Sequence, residues 1–510
     1  MVEAEHATGL CEELLRSLPG PGEPRILWGL RRELGPNDDL RVDDASQRGT
    51  GPWLVYLCTL QDDQRFWAEI SKPVESALRR ADGSVGHLWP TAKRAGSAAD
   101  AAAAVLQGAT AIVLGGEAEG TLLYSVARHP HRGIEQPTSE PVIVGPKEAF
   151  VEDLDTNLAL MRGWLPHASL RIEIVHIGRR TKTRIAVLYL EDVVRPGLVK
   201  ALLQGLYRIR TDAIRTDRQV AEYLTSGSLT PFPLSESSER VDSVAAAVAG
   251  GRAAIFVEHS PFPFLVPTTY FEFQKDSEAG LGGPLVAGFV RTMRHLGQLL
   301  AVTAPGLVVA LLSANPGPLR PELAATLLVT RVGLPYPVFP EMFVMMLVVD
   351  IFSEATAQAP GGIGTALSIV GTLIIGQISV QARLVSELVM IVAAATSMGS
   401  FLALRYQFSY AIRIWKYVIL GLSGVLGLFG WIAGIMFLVG HLASLKSAGL
   451  PYLAPLAPLN VRSFLWGAVT RPNHPQDTRR SPVWSPMDSA RAKAVPPEPS
   501  GNETPGGPAS

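Results

Sequence analysis

The chain has 510 residues, with 45 basic against 46 acidic side chains and a formal net charge of −1, which gives no electrostatic case for nucleic acid as a partner. Hydrophobic residues make up 47% and charged residues 18%, below the roughly 25% charged of ordinary soluble domains. The mean conceals two regions: residues 295–442 hold 11 charged side chains while the first 294 residues hold 69, which excludes a single soluble globule, a coiled coil and a fully disordered chain. Cys11 and Cys58 are the only cysteines, too few for a disulfide framework or a tetrathiolate metal site. The acidic stretch Met1–Leu15 lacks a basic segment followed by an apolar one, so the polar half is expected to stay in a reducing cytoplasm.

Residues 1–23 read as an N-terminal extension. In 24–144, a first α/β subdomain, the apolar runs Ile26–Leu30 and Leu54–Leu60 precede a polar helical stretch near Phe66–Arg80. The Ala-rich 94–106 predicts a helix or linker, and Thr110–Leu114, Gly115-Gly116 and Thr121–Tyr124 predict a hairpin, since glycine supplies positive φ at little cost. A second α/β subdomain with its junction is expected over 145–284. Its helical spacings fall in Val151–Met161, Val194–Tyr207 and Val241–Gly250, and its strands in Leu170–Val175, Ile185–Leu190 and Ala253–Glu258. Gly178-Arg179-Arg180-Thr181-Lys182-Thr183 lacks the first glycine and the glycine-lysine pair of a phosphate loop and joins two strands, so it reads as a basic hairpin turn.

From 285 to 445 the pattern becomes that of a polytopic helical transmembrane domain. Five runs approach the roughly 20 residues needed to cross hydrocarbon: 295–313, 335–356, 363–381, 384–404 and 417–442. The second contains Glu341, Asp350 and Glu354, so it is either re-entrant or faces a watery interior. Four crossings put the basic groups Arg291 and Arg294, and Arg405, Arg413 and Lys416, on one cytoplasmic side. A fifth would place the basic tail outside, so one run is re-entrant or the tail is external. Residues 446–510 form that tail, with disorder expected from about 471 on its Pro, Ser, Gly and charge content.

The strings Arg132-Gly133-Ile134-Glu135-Gln136-Pro137-Thr138-Ser139-Glu140-Pro141, Gly145-Pro146-Lys147-Glu148-Ala149-Phe150-Val151-Glu152-Asp153 and Ile177 to Thr183 are dense with motif character. Ser260-Pro261-Phe262, Val266-Pro267-Thr268-Thr269, Gly333-Leu334-Pro335-Tyr336-Pro337, Ile375-Gly376-Gln377 and Pro451-Tyr452-Leu453 follow in order. Together they resemble the GerA-type spore germination proteins, the A subunits of nutrient germinant receptors, over roughly residues 24–466. The resemblance implies a cytoplasmic N-domain on a multi-pass domain in the inner membrane of a dormant spore. It also implies a transporter-like B subunit and a lipoprotein C subunit as partners, and a homo-oligomeric cation channel. Met346 stands where family members often carry a carboxylate, and Lys446 where arginine is usual.

Asp350 and Glu354 are spaced i, i+4 and share one helix face. A ring of such carboxylates from several subunits would attract cations; the alternative is an interfacial position or a salt bridge of the segment's acids with Arg331 or Arg383. Thr365, Ser368 and Thr372 form a small polar stripe, with Gln377 beyond it, that suits close packing or pore lining. Gly421, Gly424, Gly427, Gly430 and Gly434 allow close helix approach within or between subunits, with a gating hinge as the sharper reading. Arg179, Arg180 and Lys182 are candidates for an interdomain contact with the acid-rich 148–155. The acids at that helix start have capping as their default role. No HExxH, metal-spaced Cys/His set or G-x-S-x-G elbow supports an enzyme, and no cofactor is expected. A small-solute transporter and a non-conducting scaffold remain the alternatives.

Overall fold

A computed structural model of the chain describes residues 24–46, 52–78, 88–114, 120–127, 140, 145–195, 197–225, 230–274, 283–314, 317–318, 320–329, 331–358, 376–402 and 405–459. The first unit opens with α1 (Arg25–Leu34) and carries β1 (Leu40–Asp44), β2 (Trp53–Leu57), a helix α2 over residues 63–78, β3 (Lys93–Arg94), α3 (Ala98–Leu106), β4 (Ala109–Val113) and β5 (Thr121–Ser125). Its antiparallel sheet has the order β1-β2-β4-β5-β3. Strand alternation divides the core. Val55, Leu57, Ala111 and Val113 face α1 and α3, while Leu54 and Ile112 face Ile70, Val74 and Ala77 of α2. Ser97 caps α3, accepting from the Asp100 amide at 3.1 Å, so the Ala-rich stretch is a core helix.

The second unit repeats that plan. After α4 (Leu154–Trp164) come β6 (Leu170–Ile177), β7 (Thr183–Leu190), α5 (Leu198–Arg208), α6 (Asp217–Thr225), β8 (Glu236–Ser237), α7 (Val241–Ala249), β9 (Ala253–Val257) and β10 (Phe264–Val266). The order β6-β7-β9-β10-β8 is that of the first sheet, strand for strand. Helices cover both faces: Ala254 and Phe256 pack towards α4 and α7, and Ala253, Ile255 and Val257 towards α5 and α6. Burial on both faces is why β9 reads as an unbroken apolar run. Between the units, the Arg162 guanidinium of α4 meets the Asp39 carboxylate at 2.9 Å, both side chains 0% exposed. Thr59 Oγ1 donates to the same carboxylate at 2.9 Å and Arg162 Nη1 donates to Leu170 O at 3.2 Å, which is the hydrogen-bonding a buried pair requires.

The remainder is helical. It comprises α8 (Gly283–Val309, continued by a wide turn through Ala310–Ala314), α9 (Pro321–Val329), α10 (Val338–Gln358), a helical turn over 376–381, α11 (Glu387–Phe401) and α12 (Tyr406–Ser444). Among the described residues, two stretches are long and apolar enough to cross a membrane, Gly288–Ser313 and Gln407–Ser444. The second does not run straight. Gly427 takes φ 61° and ψ −139°, a conformation open to glycine and strained for other residues. Beyond it the chain folds back, so that a Cβ at Gly430 would meet the Leu422 backbone and one at Gly434 would touch Ile419. Trp415 packs on Phe437 and His441 at ring separations of 5.4 and 5.3 Å. Residues 406–426 and 428–444 are thus the two antiparallel legs of a helical hairpin, the first about 30 Å long at 1.5 Å per residue.

This corrects the expectation of one passage over 417–442. Two legs bring the chain back to the side it left: Thr230 Oγ1 meets His441 Nε2 at 2.9 Å, and Tyr452 O accepts from the Tyr270 amide at 2.9 Å. β11 (Lys446–Ser447) and β12 (Leu450–Pro451) form a small hairpin there, and Ser447 Oγ bridges Leu234 O at 2.6 Å and the Thr268 amide at 3.0 Å. The start of the tail therefore lies against the second α/β unit. Most of the 363–381 run, and the tail from 460 onward, lie outside the described residues.

Candidate functional site

Charge inside the helical region is concentrated where α10 crosses the outgoing leg of α12. The two helices are antiparallel: Phe339 lies over Gly424, Phe343 packs edge-on to Tyr417 at 5.7 Å, and Glu354 reaches Tyr410. Because Asp350 and Glu354 are one turn apart, both face this leg. Asp350 Oδ2 receives Lys416 Nζ at 2.7 Å and the Tyr417 hydroxyl at 2.6 Å. Glu354 accepts from the Tyr410 hydroxyl at 3.0 and 3.2 Å and lies 3.7 Å from Arg413. The Lys416 side chain is 1% exposed, so its ammonium has exchanged water for this carboxylate and the neighbouring Tyr417 ring at 4.9 Å.

The third acid of the segment has a different role. Glu341 accepts from Arg331 Nη1 at 2.7 Å and from the Ser386 amide and hydroxyl at 2.6 and 2.7 Å. Ser386 in turn caps α11 through the Val389 amide at 3.4 Å. Glu341 thus ties the start of α10 to the start of α11, using one of the two arginines expected for a salt bridge.

A second charged cluster joins the helical region to the N-domain. Arg405, at the foot of the outgoing leg, pairs with Glu140 and with Glu236 of β8, the latter at 3.2 Å. Glu236 also takes Arg252 Nη1 at 2.7 Å, and the Ser238 hydroxyl donates to Glu140 at 3.1 Å. Burial pushes the Glu140 carboxyl above its usual range, against the opposing pull of Arg405. Beside this cluster, Gln274 and Gln298 form a reciprocal amide pair at 2.8 and 2.9 Å, and Arg294 donates to Gln274 O at 3.0 Å.

The other candidate residues separate as follows. Gln377 lies exposed in the 376–381 turn, while Thr365, Ser368 and Thr372 lie outside the described residues. Of the glycines, Gly424, Gly430 and Gly434 admit Phe339, Leu422 and Ile419, and Gly427 makes the reversal; Gly421 has open space beside it. Their contacts are within the chain. Among the described residues, the arginines of the basic turn make their contacts with 211–212 and not with the acid-rich 148–155. Arg179 and Arg180 donate backbone N–H groups to Thr211 and Asp212, Arg180 has an exposed contact with Asp212 at 4.0 Å, and Lys182 is exposed at φ 46°. Asp155 instead pairs with Arg184 at 3.0 Å. Asp153 caps α4 through the Thr156 amide at 2.8 Å, which fits the default role of acids there.

In the sequence, Arg405, Arg413 and Lys416 speak only to topology, and Tyr410 and Tyr417 carry no separate expectation. Their signal was cations and phenols at spacings of three and four in an otherwise apolar run, the positions that need buried partners. Among the described residues no group of three or more His, Cys, Asp or Glu is placed to hold a metal ion.

Comparison with known proteins gives the class. Residues 29–483 match the family model described as Bacillus/Clostridium GerA spore germination protein. The chain belongs to that family. Spore germination protein B1 of Bacillus subtilis (strain 168) is 29% identical over 437 residues, 84% of this chain and 90% of that one. An uncharacterized membrane protein of the same organism, YfkQ, is 29% identical over 379 residues, 73% and 74% of the two chains. The crystal structure of the N-terminal domain of the A subunit of the Bacillus megaterium spore germinant receptor GerK3 aligns with a TM-score of 0.34 and 22% identity over 48% of this chain and 94% of that one.

Proposed function

We propose that this protein is the A subunit of a nutrient germinant receptor in the spore inner membrane, with its N-domain cytoplasmic. It acts with a transporter-like B subunit and a lipoprotein C subunit, and it oligomerises to release monovalent cations. Family membership supports the germination role. The observation that carries the conduction reading is the placement of Asp350, paired with the buried Lys416, and of the half-buried Glu354 in a network of cations and phenols between apolar helices. Such groups are costly in hydrocarbon and are retained where ions or protons pass. The apolar exteriors, including Ile351, Val425, Phe429 and Met436, suit lipid.

The test is nutrient-triggered potassium release from purified spores of a strain lacking other receptor operons but retaining the B and C partners. Deletion of this gene is expected to abolish release, and the intact gene to restore it. A version carrying Asp350→Ala and Glu354→Ala is expected not to restore it. Unchanged release after deletion overturns the receptor reading.

A further inference from the structure

We propose that Lys416 is an internal counter-cation that latches Asp350, and that separating this pair is the step that admits a mobile monovalent cation to the carboxylate. The proposal rests on the conduction reading above. Three observations lead to it. First, the ammonium occupies the position a bound cation would take: it sits 2.7 Å from Asp350 Oδ2, the same oxygen that receives the Tyr417 hydroxyl at 2.6 Å. A carboxylate neutralised by a tethered ammonium has no net charge with which to attract a second cation, so the described state is a closed one.

Second, four partners of the two acids lie on one element. Tyr410, Arg413, Lys416 and Tyr417 all belong to the outgoing leg, and both acids to α10. Sliding or rotating that leg would draw these four partners away from Asp350 and Glu354 together. Third, the leg is held from outside the helical region. Arg405 pins its foot to Glu140 and Glu236 of the N-domain, eleven residues before Lys416 and so about 16 Å along the axis. Its far end turns at Gly427 into a return leg packed along it through Gly430 and Gly434. The N-domain and the Asp350 latch are therefore two attachments of the same short helix.

The test uses the complete receptor in spores and reads potassium release without nutrient, with subunit level followed by immunoblot. Lys416→Gln keeps both acids and removes the tethered charge; basal release is expected to rise roughly tenfold or more, given what breaking a buried pair costs. Lys416→Arg retains a cation and is expected to stay quiet. The exchange of Asp350→Lys with Lys416→Asp is expected to return basal release towards the wild-type level. Tyr417→Phe preserves the charge balance and removes one hydrogen bond to Asp350, so a smaller rise is expected, and this variant decides the matter if Lys416→Gln does not accumulate. Basal release at the wild-type level in an accumulated Lys416→Gln, or in Tyr417→Phe, overturns the latch. If deletion of the gene abolishes nutrient-triggered release while these variants stay quiet, the latch alone fails; if deletion has no effect, the receptor reading fails.

Discussion

The N-domain and the helical region place charge in opposite ways. In the N-domain many ionised groups populate the surface, and among the buried ones Arg162 with Asp39 is fully enclosed between two apolar units. In the helical region the exterior carries Phe343, Leu347, Ile391, Val425 and Phe429, and two ion pairs turn inward, Lys416 against Asp350 and Arg331 against Glu341. The contrast teaches how each region is held together. Water solvates the charges of the first and drives its apolar groups inward, whereas the second, with its apolar exterior, relies on close backbone approach and internal polar pairs.

The sharpest way to break the comparison is at the enclosed pair. Arg162→Met leaves the Asp39 carboxylate buried without its cation and is expected to cost about 3–5 kcal/mol, seen as a lowered denaturation midpoint of the full chain in detergent. Phe256→Ala should cost about 3–5 kcal/mol by the same measurement, because the ring is 1% exposed and packs edge-on to Phe150 at 5.0 Å.

Gly427→Val is expected to cost about 1–3 kcal/mol through its positive φ. Oxidation of an Ile419→Cys, Gly434→Cys pair reads the consequence directly, since a Cβ at 434 would lie 3.4 Å from the Ile419 Cα: the crosslink should form with Gly427 in place and weaken in the variant. A crosslink that never forms would remove the hairpin.

A smaller effect separates the two regions by pH. Burial holds Glu140 above its ordinary range, so the folded state binds that proton more tightly than the unfolded chain does. Its contribution to stability is complete below the ordinary glutamate pKa of about 4.3 and falls as pH rises through the raised value. Glu140→Gln should flatten this part of the denaturation profile. Smallest of all, Asp153→Ala should cost about 1 kcal/mol through the lost cap on α4, and Arg180→Ala should leave stability unchanged, since its contact with Asp212 is exposed.

Several elements were legible without coordinates. The alternation and apolar content of Leu170–Val175, Ile185–Leu190 and Ala253–Glu258 match β6, β7 and β9, and the helical spacing of Val241–Gly250 matches α7, because strand and helix periods are local properties. The short strands β3 and β8 and the helix α6 were missed. Two-residue pairings leave no periodic signal, and α6 owes its place to Val220 and Ala221 packing into the second core. The matching strand order of the two units was likewise invisible, since it is a property of pairing between distant segments.

In the candidate site the acids were found and their partners were not. The i, i+4 spacing of Asp350 and Glu354 fixed a shared face, because helix geometry alone requires it. Which surface that face meets depends on how α10 lies against α12, a relation between segments some sixty residues apart. The glycine series likewise announced close approach, but it did not distinguish a straight helix from a hairpin. That was decided by φ at Gly427 and by the contacts of Trp415 with Phe437 and His441. The amino-acid sequence by itself determined the split into a charge-rich and an apolar region, the local periods and the family, because these follow from composition, spacing and motif. Only the tertiary structure decided the pairing of the buried charges and the side to which the chain returns, because both are settled by contacts that the spacing of residues along the chain does not encode.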